Sequence, residues 1–433
     1  MTHWRKRILN PDQAAALIQS GMRVFLTGNC STPLEFLRAL VRRYQELEDV
    51  EVVQLLGMGT GDYITPDMSQ HIRMNSLFIA PNVRNAIANG LADFTPCHLS
   101  QVPLLFRNAI LPLDVAVIQV SIPDEHGFCS YGVEVGVTKS AAESAKMVIA
   151  EVNPNMPRIL GDSFIHVNHI HHFIEVNYDL PELHPSLADE VQNQIAAHIA
   201  PHIPDGATLQ MGIGGIPDAV LRHLTHHRDL GIHTELFSDG VMDMIEMGVI
   251  TNRKKTFHPG KVVAGFVLGT RKLYDFAHDN PIFELHPTEY VNDPFNIARN
   301  DKMMSINSAI EVDITGQVCS DSIGTKFYSG AGGQLDFVRG ATRSKGGKSF
   351  IALPSTTKDD TISKIVTQLK PGAGVVTTRY DVRFVATEFG AVDLWGKTLE
   401  GRVLALVNIA HPNFRDDLLR YAREQHYLNK QVF

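Results

Sequence analysis

Short apolar runs alternate with amphipathic stretches along most of this 433-residue chain. Near its start, the apolar Met22-Arg23-Val24-Phe25-Leu26 leads into Gly28-Asn29-Cys30-Ser31-Thr32-Pro33, and Leu37 and Leu40 follow at helical spacing. That pattern reads as a strand, a tight turn and a helix opened near proline. Helical periodicity recurs over residues 12–20, 33–47 and 414–425, while Val375-Val376, Phe384-Val385-Ala386 and Val403-Leu404-Ala405-Leu406-Val407 read as strands. Strands alternating with helices predict mainly parallel sheets covered by helices, a fold that gathers ligands at the carboxyl ends of its strands.

The pattern is written twice. Gly206-Ala207-Thr208-Leu209-Gln210-Met211 precedes Gly212-Ile213-Gly214-Gly215-Ile216-Pro217, with Leu221 and Leu224 spaced from Pro217 as Leu37 and Leu40 are from Pro33. Further on, Asp124-Glu125-His126-Gly127 and Asp313-Ile314-Thr315-Gly316 each lead to a Cys-Ser pair, Cys129-Ser130 and Cys319-Ser320. The two Asp positions lie 189 apart and Gly28 and Gly212 lie 184 apart, a nearly constant offset. The chain is therefore expected to form two related, open α/β domains with mainly parallel sheets. Residues 1–185 would form the N-terminal domain, and residues 186–433 a C-terminal domain carrying the ligand loops.

Composition narrows the function classes. With 39 basic and 47 acidic residues the net charge is −8, which argues against bulk nucleic-acid binding. No apolar run reaches the ~20 residues of a membrane helix, and the N-terminus lacks the apolar stretch of a signal peptide. The four cysteines form no C-x-x-C pair and read as buried residues of a reducing compartment, so a cytoplasmic protein is expected.

Several motifs bear on chemistry. The Gly212-Ile213-Gly214-Gly215-Ile216-Pro217 turn suits an anion at a helix N-terminus, or is simply a tight strand-to-helix turn. It is not a dinucleotide fingerprint, which would need glycine where Pro217 stands. In Gly330-Ala331-Gly332-Gly333-Gln334-Leu335-Asp336-Phe337, backbone N–H groups could bind phosphate or stabilise an oxyanion, a contribution on the order of 3–4 kcal/mol per donor. Gly347-Lys348-Ser349 is not a P-loop, because Thr342 occupies the position of its first glycine. Basic residues cluster in Arg253-Lys254-Lys255 and in Ser344-Lys345-Gly346-Gly347-Lys348, each equally readable as a solvated loop. His166-Val167-Asn168-His169-Ile170-His171-His172 is the most metal-like group, but it has no carboxylate at ligand spacing, and no metal is expected.

Two carboxylates stand out. Glu235 in Thr234-Glu235-Leu236-Phe237-Ser238-Asp239-Gly240 falls at a predicted strand end before a helix, and reads equally as a cap of that helix. Gln54 is its approximate counterpart in the first half. Glu388 in Thr387-Glu388-Phe389-Gly390 is a second candidate, or an exposed loop residue. Gly-x-Ser-x-Gly and His-Glu-x-x-His are both absent, which leaves serine-hydrolase and metalloprotease readings without support.

From about residue 5 to residue 428 the chain resembles the acetyl-CoA hydrolase/transferase family. Besides the turns above, the resemblance is carried by Glu151-Val152-Asn153-Pro154, Gly161-Asp162-Ser163-Phe164-Ile165, Tyr290-Val291-Asn292-Asp293-Pro294 and Ala410-His411-Pro412-Asn413-Phe414. The family's Thr-Glu-Tyr-Gly reads here Thr387-Glu388-Phe389-Gly390, and its Asp-Leu-Arg-Gly reads Asp393-Leu394-Trp395-Gly396. The resemblance implies a CoA-transferase-like fold, with coenzyme A as a substrate moved between a four-carbon acyl-CoA and a small acid such as acetate. It implies Glu235 as nucleophile, Gly332 and Gly333 at an oxyanion hole with Asn292 beside them, and Glu388 as a second carboxylate near the reacting centre. Contacts to CoA would come from Gly212, Ile213, Gly214, Gly215, Pro217, Gly330, Gly332, Gln334 and the Ser344, Lys345, Gly346, Gly347, Lys348 segment. A homodimer is expected. A CoA-ester hydrolase using the same residues and a non-catalytic CoA sensor are the alternatives.

Overall fold

The computed structural model describes residues 3–58, 64–185 and 187–428. It divides into two units, and the division is not a single cut at residue 185. The first unit holds Met1–His184 together with Glu235–Asp239 and Lys261–Asn292; the second holds Pro185–Thr234, Gly240–Gly260 and Asp293–Phe433. Glu235, expected in the C-terminal domain, therefore belongs to the first unit.

The first unit is built on a seven-stranded parallel sheet in the order Ala92–Phe94, Ile72–Phe78, Val50–Leu55, Arg23–Leu26, Val115–Val120, Met147–Val152, His172–Glu175. Alternation along each strand assigns its two faces. Val24, Leu26, Val52 and Val115 pack with Phe36, Leu37 and Leu40 of the helix Leu34–Arg42. Phe25, Val53 and Ala116 point the other way, against Val102, Phe106 and Ala141. Pro33, preceding the helix, offers it no side-chain cap. Glu151, at the carboxyl end of the sixth strand in that order, Met147–Val152, does so instead by accepting from the Phe36 N–H at 2.6 Å and from the Tyr178 hydroxyl. Burial pushes this carboxyl up to about 7. The Glu151-Val152-Asn153-Pro154 motif thus closes a helix end.

The second unit has a six-stranded sheet ordered Gly231–Ile232, Thr208–Met211, Met303–Ser308, Lys348–Ala352, Phe384–Thr387, Gly390–Asp393, parallel except for the last strand. Its parallel strands repeat the connectivity of the first sheet. The repeated Asp motifs also build the same turn. Asp124 Oδ1 accepts from the N–H groups of His126 and Phe128, both at 2.9 Å, and Asp313 Oδ1 from Thr315 and Gln317 at 2.9 and 3.0 Å. Gly127 and Gly316 follow at φ +87° and +98°, a conformation that costs other residues strain.

Three expectations change. Val403-Leu404-Ala405-Leu406-Val407 lies inside the helix Leu399–Asn408, where Val403, Leu406 and Val407 are buried at helical spacing and Leu404 is exposed. Val375-Val376 is not a strand. Register also alters the pairing of Gln54: Val24 lies beside Val52 and Thr208 beside Gly231, so aligning Gly28 with Gly212 sets Gln54 opposite His233 and Leu56 opposite Glu235. The Gln54 carboxamide donates to the Thr27 carbonyl at 3.1 Å within the sheet.

Asp313 is 3% exposed and accepts from the side chains as well as the backbones of Thr315 and Gln317. Asp313→Ala should cost about 2–4 kcal/mol in urea unfolding, because buried donors lose their acceptor. Asp124→Ala, in a half-buried copy of the turn, should cost less.

Candidate active site

Glu235 sits at a bend immediately before the short strand Leu236–Phe237, which pairs in parallel with Phe266–Val267. Phe237 is fully buried, edge-on to Phe283 at 4.8 Å, and this apolar anchor holds the segment in the first unit. The next helix begins only at Asp239, so Glu235 does not cap it. The Glu235 carbonyl accepts from Gly265 and Phe266 N–H at 2.9 and 3.0 Å. Its half-buried carboxylate accepts from Asn292 Nδ2 at 3.0 Å. Asn292 is fully buried at the end of the helical turn Thr288–Val291, and its backbone N–H donates to the Thr288 carbonyl at 2.9 Å. Of the residues singled out in the sequence, these two are brought together by a direct hydrogen bond.

The second unit gathers other expected residues at one edge of its sheet. The Gly212-Ile213-Gly214 turn leaves the carboxyl end of Thr208–Met211 and opens the helix Gly215–His223, with Pro217 in its first turn. A Cβ added to Gly212 or Gly214 would meet nothing within 4 Å, so the turn is open to an incoming group. The helix Gln334–Arg343 begins after Gly330-Ala331-Gly332-Gly333 and runs back against the parallel strands, so its N-terminus lies at the same edge. Gln334 Nε2 donates to Thr377 Oγ1 at 3.0 Å, pinning the turn. Glu388, with Phe389, forms the two-residue loop between the strands Phe384–Thr387 and Gly390–Asp393, again at the carboxyl edge.

Comparison with known proteins settles the family. Residues 1–183 match the acetyl-CoA hydrolase/transferase N-terminal domain and residues 269–422 the corresponding C-terminal domain. The 4-hydroxybutyrate coenzyme A transferase of Clostridium kluyveri is 49% identical, the match covering 96% of this chain and 97% of that protein. A succinyl-CoA:acetate/propanoyl-CoA:succinate CoA transferase of Fasciola hepatica is 46% identical over 95% of this chain and 87% of that one. The crystal structure of 4-hydroxybutyrate CoA-transferase from Porphyromonas gingivalis superposes with a TM-score of 0.85 at 42% identity, covering 98% of this chain and 99% of that chain. The chain belongs to the acetyl-CoA hydrolase/transferase family.

Within that family's motifs, the other expected residues bond to their own surroundings as follows. Ser344, Lys345, Gly346, Gly347 and Lys348 form the turn from the C-terminal end of Gln334–Arg343 into the amino end of Lys348–Ala352. They lie at the opposite edge of the sheet from the Gly212 and Gly332 turns. The Ser344 hydroxyl donates to the Asn300 carbonyl at 2.5 Å and accepts from Met303 N–H at 3.0 Å, while Lys348 Nζ donates to the His202 carbonyl at 2.9 Å. The Ser344 and Lys348 side chains thus bond to neighbouring segments of the same unit. Glu388 is likewise engaged: Ser355 donates its N–H to Oε2 at 2.9 Å and its hydroxyl to Oε1. Because Ser355 follows the neighbouring strand, the carboxylate ties two strand ends together. In the histidine cluster, His166 Nδ1 accepts from Asn168 N–H at 3.2 Å, closing a local turn, and His171 Nδ1 accepts from Val148 N–H at 3.0 Å on the strand Met147–Val152.

The sequence reading missed Glu134. This side chain is 1% exposed on the segment Val133-Glu134-Val135-Gly136, bridged to Phe266, whose N–H donates to the Glu235 carbonyl. Its Oε2 accepts from Asn29 Nδ2, and burial, opposed by that amide and the Val137 N–H, pushes it up to about 8. The available signal was one carboxylate within the otherwise uncharged stretch from Cys129 to Thr138.

Asn292→Ala should lower turnover of CoA esters roughly 10–100-fold in steady-state assays, since a hydrogen bond to a charged group is worth about 1.5–3 kcal/mol. Asn292→Asp should be worse, because it sets a second carboxylate against Glu235.

Proposed function

We propose that this protein moves coenzyme A between an acyl-CoA and a small carboxylic acid, with Glu235 as the nucleophile. The observation that carries the reading is the Asn292 Nδ2 donor 3.0 Å from Glu235 Oε2, which orients the carboxylate. A free glutamate titrates near about 4.3 and is ionised at neutral pH without a helper base. Its oxygen attacks the thioester carbonyl, the C–S bond breaks, and CoA leaves as thiolate from an acyl–glutamyl anhydride. The thiolate then attacks the glutamyl carbonyl, the first acid departs as carboxylate, and a glutamyl-CoA thioester remains. The incoming carboxylate reverses both steps, which makes the kinetics ping-pong.

Each addition generates an oxyanion, and the backbone N–H groups of Gly332 and Gly333 are assigned to it, as their place at a helix N-terminus favours negative charge. The Gly212-Ile213-Gly214-Gly215 turn, open at Gly212 and Gly214, is assigned to CoA. Binding energy from the pantetheine and nucleotide drives orientation at the reacting carbonyl. By similarity to its relatives, the acyl donor is 4-hydroxybutyryl-CoA or butyryl-CoA and the acceptor acetate. Both covalent intermediates hydrolyse if water enters, which is how the same residues would make a hydrolase.

Incubation with butyryl-CoA followed by borohydride, which reduces a glutamyl thioester to an alcohol, and peptide mass mapping should mark Glu235. The Glu235→Ala variant should carry no mark and exchange no labelled acetate. A mark on Glu388 would move the nucleophile, and acetate-independent release of CoA without any mark would replace transfer by hydrolysis.

A further inference from the structure

The segment Val133-Glu134-Val135-Gly136 touches both pieces of chain that present the candidate nucleophile. Glu134 forms an antiparallel bridge with Phe266, whose N–H donates to the Glu235 carbonyl at 3.0 Å. Gly136 donates to the Gly265 carbonyl at 3.0 Å and accepts from Thr288 N–H at 3.0 Å, and Thr288 in turn accepts the N–H of Asn292. The packing here has no slack. A Cβ on Gly136 would stand 2.6 Å from Glu134 Oε1 and 3.3 Å from Thr288 Cγ2, and one on Gly265 would stand 3.1 Å from the Glu235 carbonyl oxygen. Glu134 is held from behind by Asn29, itself fully buried and at φ +50°. The Oε1 oxygen of Glu134 makes no hydrogen bond of standard geometry, nor do the buried Oγ1 of Thr288 and Oδ1 of Asn292.

We propose that Glu134 is a positioning residue for the transfer reaction, fixing the Glu235–Asn292 pair through Gly136, Gly265 and Phe266. The inference rests on the assignment of Glu235 as nucleophile. A carboxyl in this packing is tolerated as the neutral acid, because a buried charge with no cationic partner, only the Asn29 amide and the Val137 N–H, is costly. With its carboxyl raised from the ordinary range to about 8, the stability linked to its protonation is fully present below about 4.5 and is lost as pH rises through about 8. The Cys30 thiol, on the turn that carries Asn29, is a titratable group that senses Glu134. Burial raises Cys30 to about 12 and raises its partner Tyr274 as well, so neither charges in the same range. Glu182 also raises both of these.

The test is the acyl-CoA:acetate exchange rate of Glu134→Ala and Glu134→Gln across pH 6–9.5, with the borohydride mark on Glu235 scored in the same preparations. Glu134→Ala should lose kcat roughly 10–100-fold, with KM for the acyl-CoA within about threefold. Glu134→Gln, neutral and of the same shape, should recover most of that loss and lack the alkaline fall near pH 8 that is expected of the unmodified enzyme. If Glu134→Ala does not fold, the pH profile of Glu134→Gln decides. An alkaline limb unchanged in Glu134→Gln, or kcat unaffected in both variants while Glu235 carries the mark, would overturn this inference alone. A mark elsewhere in the unmodified enzyme would overturn the assignment of the nucleophile and this inference with it.

Discussion

The candidate centre depends on a close passage of backbone past backbone. Gly265 sits so near the Glu235 carbonyl that any side chain there would press on it, with a Cβ 3.1 Å from the oxygen and 3.9 Å from the Gly136 Cα. Because both positions are glycine, three stretches of chain remote in sequence converge: residues 133–136, 235–237 and 264–267. The Glu235 carbonyl receives two N–H groups, its carboxylate receives the Asn292 amide, and the segment is pinned by the buried Phe237. A nucleophile held at backbone, side chain and adjacent core loses little freedom on reaching its substrate, which is the physical value of such preorganisation.

The second unit supplies a different kind of group. Its contribution is an edge of parallel sheet from which turns and a helix N-terminus present unpaired backbone donors, the ordinary way α/β folds hold phosphate and developing negative charge. The direction of the chain decides which turns qualify. Gly212 and Gly332 precede helices and so lie at the carboxyl edge, whereas Gly346 and Gly347 follow one and lie at the other. Composition makes these three Gly-rich turns look alike. Their chemistry differs because one end of a helix exposes N–H groups and the other exposes carbonyls.

Much of this was legible in the residues. The duplication could be read because the Asp-x-x-Gly turn is a local device: one carboxylate satisfies N–H groups two and four residues on, and a glycine takes the left-handed position. Both copies close as the pattern implies. The helix Leu399–Asn408 was less legible. Its five consecutive apolar residues satisfy strand and helix patterns alike, and only the Thr398 cap on the Gly401 N–H and the buried spacing resolve the choice. The match of Gln54 to Glu235 failed for a related reason, since counting along the chain cannot see how each strand slides against its neighbour.

Sequence alone determined the two related α/β halves, the family and the identity of Glu235 as the residue to watch, because each rests on turn chemistry and ordered motifs that persist along the chain. Tertiary structure alone decided that Glu235 joins the first unit, that Asn292 donates to it, that Glu388 is occupied by Ser355, and that Glu134 lies buried beneath the centre. Those outcomes depend on contacts between segments tens to hundreds of residues apart. Their energies come from burial and close packing, which are properties of the assembled chain and of no single stretch within it.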